Sequence, residues 1–151
     1  MNTKKIAIIG AGSWGTALSL HLAEKFEQVS LWVYEKELCD LILNERENKW
    51  FLPGFQLPEN ITPDNSIEAV MRDQSNILMV VPTHALRNII AQLKPFIQPE
   101  SLIINASKGI ENDSLSTCHK TIKDSLNIPC DVTTVSGPTF AKEVAAKVPS
   151  A

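Results

Sequence analysis

Short apolar runs alternate along this chain with stretches whose apolar residues recur every three or four positions. The two periods predict strands and helices in turn. Lys5–Ile9 predicts a first strand, and a helix from near Ser13 stacks Trp14, Leu18 and Leu22 along one line. Residues 29–33 predict a second strand, followed by a helix with Leu38, Leu41 and Ile42 on one face. Residues 48–58 then break the rhythm. This aromatic loop, with Trp50, Phe51, Phe55 and the prolines Pro53 and Pro58, is expected to pack across an edge of the domain. Ile61-Thr62 predicts a short strand, and Ser66 predicts the cap of a helix through Val70. Residues 77–81 are uniformly apolar and end at Pro82, a pattern that suits a strand buried on both faces. Leu86, Ile89, Ile90 and Leu93 mark a helical face. Residues 102–104 predict a strand, Leu115, Cys118, Ile122 and Leu126 a helix, residues 132–135 a strand, and Phe140, Val144 and Val148 a last helix.

Alternation of this kind places the chain in the α/β class, a doubly wound, mostly parallel sheet with helices on both faces. Its 151 residues suit one domain, residues 1–151. Ligand sites in such sheets lie beyond the carboxyl ends of the strands. That rule singles out residues 10–15, Tyr34-Glu35, Pro82-Thr83-His84, and the loops that begin at Asn105 and Ser136. A 44% apolar composition supplies a core and argues against global disorder. The net charge of −3 gives no reason to expect nucleic acid or an anionic membrane as partner. The lysines before Ile6 resemble a signal-peptide start, but Gly10 cuts the apolar run short, so secretion is disfavoured. No run is long enough to span a bilayer. Cys39, Cys118 and Cys130 are odd in number and lack a C-x-x-C spacing; they read as reduced cysteines of a cytosolic protein. No metal-ligand spacing and no Ser/His/Asp arrangement stands out. His84 follows a strand end, but with no carboxylate partner visible it reads as an ordinary helix-start histidine.

Composition leaves the chemistry open; Gly10-Ala11-Gly12-Ser13-Trp14-Gly15 narrows it. Strand, G-x-G-x-x-G and helix in succession form the phosphate-binding turn of a dinucleotide site. Gly10 permits the tight turn, Gly12 lets a pyrophosphate approach the backbone, and Gly15 lets helix and strand pack closely. The free N–H groups of the helix start then face the phosphates. Glu35, twenty residues past Gly15 at the end of the second strand, is placed to hold the ribose hydroxyls of NAD; an acid there is also an ordinary solvated helix start. Tyr34 beside it either stacks near the adenine or covers an edge. Lys108 follows a buried strand, where a cation contacts an anionic substrate or stands as an exposed loop lysine. Ser136-Gly137-Pro138-Thr139 opens a second helix, with N–H groups suited to a phosphate or serving as a plain helix start.

Together these loops are more specific than any one of them. Residues 10–18, Val80-Val81-Pro82-Thr83-His84, Ser107-Lys108-Gly109-Ile110-Glu111 and Ser136-Gly137-Pro138-Thr139-Phe140-Ala141-Lys142-Glu143 resemble bacterial NAD(P)-dependent glycerol-3-phosphate dehydrogenase, as does the Phe51-Leu52-Pro53 loop. The resemblance spans nearly the whole chain. It implies a Rossmann-type domain of an oxidoreductase that interconverts dihydroxyacetone phosphate and sn-glycerol 3-phosphate for glycerophospholipid synthesis in the cytoplasm. It implies NAD or NADP as cofactor, bound by Gly10, Gly12, Ser13, Trp14, Gly15, Tyr34, Glu35, Lys108 and Ala141. It implies a phosphorylated small-molecule substrate, held by Lys108, Gly137 and Thr139. Tyr34 departs from the basic or histidine side chain frequent there, which leaves the choice between NAD and NADP open; Glu35 favours NAD by repelling a 2′-phosphate, and Lys36 offsets it. The family carries a helical second domain, which supplies the general acid/base lysine and further phosphate ligands and allows a homodimer. The expectation is therefore a truncated chain, with a sheet that lacks a strand, no catalytic residue of its own, and cofactor binding without turnover. Two other readings remain: a different Rossmann dehydrogenase acting on a hydroxyacid or sugar phosphate, and a non-enzymatic dinucleotide-binding module.

Overall fold

The strands alternate their side chains between two layers, so each apolar run serves both faces of a sheet. In the computed structural model, which describes residues 4–149, these strands are β1 (Lys5–Ile9), β2 (Gln28–Trp32), β3 (Ile61–Asp64), β4 (Asn76–Met79), β5 (Leu102–Asn105) and β6 (Asp131–Thr134). They form one sheet in the order β3-β2-β1-β4-β5-β6. Every neighbouring pair is parallel, with Ile9 opposite Trp32 on one side and Met79 on the other. The helices are α1 (Ser13–Leu22), α2 (Lys36–Glu45), α3 (Ile67–Met71), α4 (Leu86–Leu93), α5 (Cys118–Leu126) and α6 (Ala141–Ala145).

From β1, Ile6 and Ile8 enter the layer that holds Val29, Leu31, Leu38 and Ile42. Ala7 and Ile9 enter the other, beneath Leu86, Ile90 and Ile122. The first layer lies under α1 and α2, the second under α3, α4 and α5. The chain runs outward from β1 to β3, then returns to β4 on the far side of β1. That reversal opens a crevice between the carboxyl ends of β1 and β4, the place where ligands bind in doubly wound sheets.

Several local expectations shift, each for an identifiable reason. Trp14, Leu18 and Leu22 do not form the buried stripe of α1. The fully buried residues are the small ones, Gly15, Thr16, Ala17 and Ser19. The helix lies so close to the β1 turn that larger side chains do not fit beneath it. Leu18 and Leu22 pack partly buried at the margin of the first layer, and Trp14 and Leu18 line a cavity beside α6. Leu115 is outside α5: it has φ +53° and is 78% exposed. The Thr117 hydroxyl accepts from the Lys120 N–H and starts the helix there. Phe140 is the exposed N-terminal boundary of α6, and Lys147, at φ +58°, follows the helix before Val148 joins it. Ser66 does cap α3, accepting from the Ala69 N–H. Pro63 sits within β3, which is tolerated because β3 is an edge strand.

Candidate cofactor and substrate site

Tight backbone packing builds the centre of the crevice. Gly10 has φ +118°, and a Cβ there would stand 2.3 Å from the Val80 carbonyl oxygen. At Gly15 a Cβ would stand 1.9 Å from the Gly10 carbonyl oxygen. Gly12 differs, because a Cβ built there meets nothing within 4 Å. Two of the glycines therefore let β1, β4 and α1 converge, and the third leaves space in front of a helix start. The first N–H groups of α1 have no acceptor within the helix, so they are available to phosphate oxygens.

A cavity of about 810 Å³ runs along this edge. Tyr34 and Glu35 line one part of it, Gly10, Gly12, Ser13, Trp14 and Gly15 another, and Pro82, Ser107 and Lys108 a third. Its volume falls in the range of small-molecule sites. Tyr34 is 71% exposed and meets Trp32 edge-on, with ring centroids 5.9 Å apart. Glu35 precedes α2 without using its carboxylate as a helix cap. Its carboxylate thus keeps the freedom to meet a ribose at the carboxyl end of β2. The donors of the glycine turn, the open space at Gly12 and this acid together fit a dinucleotide.

Lys108 is held from below and from the side. Ser107 hydrogen bonds to the backbone of β4 and of Val81, its hydroxyl donating to the Met79 carbonyl and accepting from the Val81 N–H. The Thr83 hydroxyl donates to the Lys108 carbonyl at 2.8 Å. The Lys108 ammonium lies 5.0 Å from the centre of the Trp14 ring and donates to the Thr139 carbonyl at 3.1 Å. Trp14 is itself fixed by its indole N–H, which donates to the Ala106 carbonyl at 3.2 Å. A second cavity of about 540 Å³ is lined by Trp14, Lys108, Ser136, Gly137 and Thr139. Trp14 and Lys108 belong to both cavities. The lysine is thus the cation shared between the glycine turn and the 136–139 loop.

A polar clamp fixes the Lys108 loop from its outer side. Arg87 grips Glu111 with two hydrogen bonds, Nε to Oε1 at 2.6 Å and a terminal nitrogen to Oε2 at 2.7 Å. Ser114 donates to the same carboxylate. Hydrogen bonds from Arg87 first, then from Ser114, hold the Glu111 carboxyl below its ordinary range, while the same contact raises Arg87.

The structure thus brings Gly10, Gly12, Ser13, Trp14, Gly15, Tyr34, Glu35 and Lys108 to one cavity, and Lys108, Gly137 and Thr139 to another. Ala141 opens α6 and lines neither. His84 lines the first cavity from the short turn after β4. Sequence reasoning missed Phe51, which also lines it. It also missed the contact of the 48–58 loop with the glycine turn, where Asn48 bonds the Ala11 carbonyl. No local signal marks Asn48, because its partners Ala11 and Thr16 lie far away in sequence. Among the described residues, no group of three or more His, Cys, Asp or Glu is placed to hold a metal, and no helix is long and apolar enough to cross a membrane.

Strand order, glycine turn and terminal acid define a Rossmann-type dinucleotide-binding domain. Comparison with known proteins narrows this class. The family model described as NAD-dependent glycerol-3-phosphate dehydrogenase N-terminus matches residues 5–151. The chain belongs to this family. It is 43% identical to the glycerol-3-phosphate dehydrogenase [NAD(P)+] of Syntrophobacter fumaroxidans, over 97% of this chain and 44% of that protein. It is 44% identical to the protein of the same name from Desulfotalea psychrophila, over 99% of this chain and 45% of that protein. The crystal structure of glycerol-3-phosphate dehydrogenase from Coxiella burnetii superposes with a TM-score of 0.89 at 37% identity, covering 98% of this chain and 45% of that one. The chain therefore spans a little under half the length of these relatives.

Proposed function

We propose that this chain is the cofactor-binding half of a cytoplasmic enzyme that reduces dihydroxyacetone phosphate to sn-glycerol 3-phosphate, and runs the reverse reaction, in the supply of glycerophospholipid backbones. The observation that carries this reading is the position of Lys108, which lines both the dinucleotide cavity and the cavity of Gly137 and Thr139. A bound nicotinamide dinucleotide supplies or accepts the hydride. The chain's own residues bind and orient. The first-turn N–H groups of α1 take the pyrophosphate, and Glu35 takes the adenosine ribose, which favours NAD over NADP. Tyr34 covers the adenosine end. Gly137 and Thr139 hold the phosphorylated substrate near the start of α6. Lys108 draws the substrate oxygen toward the cofactor and stabilises negative charge that develops on it. The proton for that oxygen comes from a general acid outside these 151 residues. The two partners of this reaction are small phosphorylated molecules, which the net charge of −3 would repel without a local cation.

The test is an assay of the protein that carries this domain, with NADH and dihydroxyacetone phosphate. Lys108→Met is expected to lower kcat/KM by about a hundredfold or more, the loss typical of a group that stabilises developing charge. NADH affinity should change much less. Unchanged turnover in Lys108→Met, or a preference for an unphosphorylated hydroxyacid, would remove this reading.

A further inference from the structure

Asn48 belongs to the aromatic loop, yet its side chain is fully buried against the glycine turn. Its amide nitrogen donates to the Ala11 carbonyl at 2.8 Å and to the Thr16 hydroxyl at 2.8 Å. Its side-chain carbonyl accepts the Phe51 N–H at 3.1 Å. The Thr16 hydroxyl in turn donates to the Ala11 carbonyl at 3.3 Å. One side chain therefore joins two segments of the cavity wall that lie 37 residues apart in sequence. Both amide protons and the carbonyl are used, so the side chain has one orientation.

The consequence follows from peptide geometry. A trans peptide unit is planar, and its C=O and N–H point in opposite directions. The Ala11 carbonyl and the Gly12 N–H belong to one such unit. Drawing that carbonyl inward, onto Asn48 and Thr16, turns the Gly12 N–H outward, toward the cavity that Gly12 lines. The same asparagine fixes the backbone of Phe51, whose residue lines that cavity too. We propose that Asn48 is a positioning residue for the dinucleotide: by holding the Ala11 carbonyl inward it presents the Gly12 N–H to a phosphate, and by holding the Phe51 N–H it sets the aromatic wall beside it. This inference rests on the dinucleotide reading above and adds a residue that does not itself touch the ligand.

The experiment measures NADH and ADP affinity by calorimetry for the 151-residue chain and its Asn48→Asp variant. At pH 8 the introduced carboxylate still accepts the Phe51 N–H but faces the Ala11 carbonyl with an oxygen. ADP affinity is expected to fall by about tenfold or more, the loss of one well-made buried hydrogen bond at the turn. Burial raises the pKa of such a carboxyl, so acidification toward pH 5.5 protonates it and restores a donor. The variant should therefore regain affinity on acidification, per folded molecule, while the wild type does not. Ile122→Val, in the opposite layer, serves as a control for stability alone. In the wild type, the Gly12 amide resonance should move on addition of ADP; this readout needs no variant to fold. Wild-type affinity in Asn48→Asp at pH 8, an equal affinity loss in the control at matched loss of Tm, or an unmoved Gly12 resonance overturns the inference. Absence of NADH binding by the wild type overturns the dinucleotide reading as well, so the two failures are distinguishable.

Discussion

At Gly15 a Cβ would sit 1.9 Å from the Gly10 carbonyl oxygen, whereas at Gly12 it would meet nothing within 4 Å. Gly12 also has an ordinary φ of −66°. The glycines of one motif thus stand in different surroundings, close backbone packing at Gly15 and open space at Gly12. Gly15→Ala is expected to destabilise the fold by about 3 kcal/mol, because the clash is with backbone that cannot rotate away. Gly12→Ala should change stability by less than about 1 kcal/mol, since its conformation suits alanine. It should still weaken NADH binding by about tenfold or more, because the added methyl occupies the approach to the N–H groups. Urea denaturation and calorimetry on the two variants check both halves. The motif was legible in the sequence because glycine is rare in strand and helix interiors, so three at fixed spacing stand out. Asn48 was not, because its partners Ala11 and Thr16 are distant in sequence and nothing about an asparagine in a loop announces burial.

Among the elements, the segment that carries Lys108 has little regular structure, and side-chain contacts from its neighbours hold it. Thr83 bonds its backbone, and Arg87 on α4 bonds Glu111 twice. These contacts place the loop at the edge of β5, within reach of Trp14 and Thr139. The Glu111 carboxyl lies below its ordinary value of 4.5, chiefly because Arg87 donates to it. A carboxyl lowered in the native state adds stability above its unfolded value and loses it as the pH falls through the native one. The clamp therefore contributes at pH 7 and fades below about pH 4.5. Glu111→Gln should lower the urea midpoint at pH 7, and the gap between variant and wild type should shrink by pH 3. A gap independent of pH would show that the charge on Glu111 does not matter to the fold. Helix existence was legible from periodicity, as α4 and its face of Leu86, Ile89, Ile90 and Leu93 show. Helix starts were harder to read. Thr117 was available as a cap, yet Leu115 suggested a longer α5 because its apolar side chain fits the periodicity while its backbone is left-handed. For α1, the large apolar residues Leu18 and Leu22 pack partly buried at the margin of the core, while the fully buried positions, Gly15, Thr16, Ala17 and Ser19, are small and carry no apolar periodicity to read.

At the scale of the whole molecule, the fold converts a sequence of separate loops into one edge. Alternating strands and helices made a parallel sheet legible, and the rule that sites lie at carboxyl ends picked loops that the structure gathers around its two cavities. The order β3-β2-β1-β4-β5-β6 supplies what the sequence could not: it sets β1 beside β4, so the glycine turn faces Pro82 and Ser107 across the crevice. It also sets β5 beside β6, which brings the Lys108 loop within hydrogen-bond reach of Thr139. Contacts across the sheet are long-range, so no local pattern encodes them. By the proposal above, this edge binds a nicotinamide dinucleotide through the glycine turn, and Glu35 selects against a 2′-phosphate. Calorimetric titration of the 151-residue chain with NADH and with NADPH, repeated on Gly12→Asp, tests it most directly. Saturable binding at one site is expected, tighter for NADH than for NADPH, with no binding to Gly12→Asp when that variant is folded. NADH binding that survives Gly12→Asp unchanged, or no binding to the wild type, would contradict it.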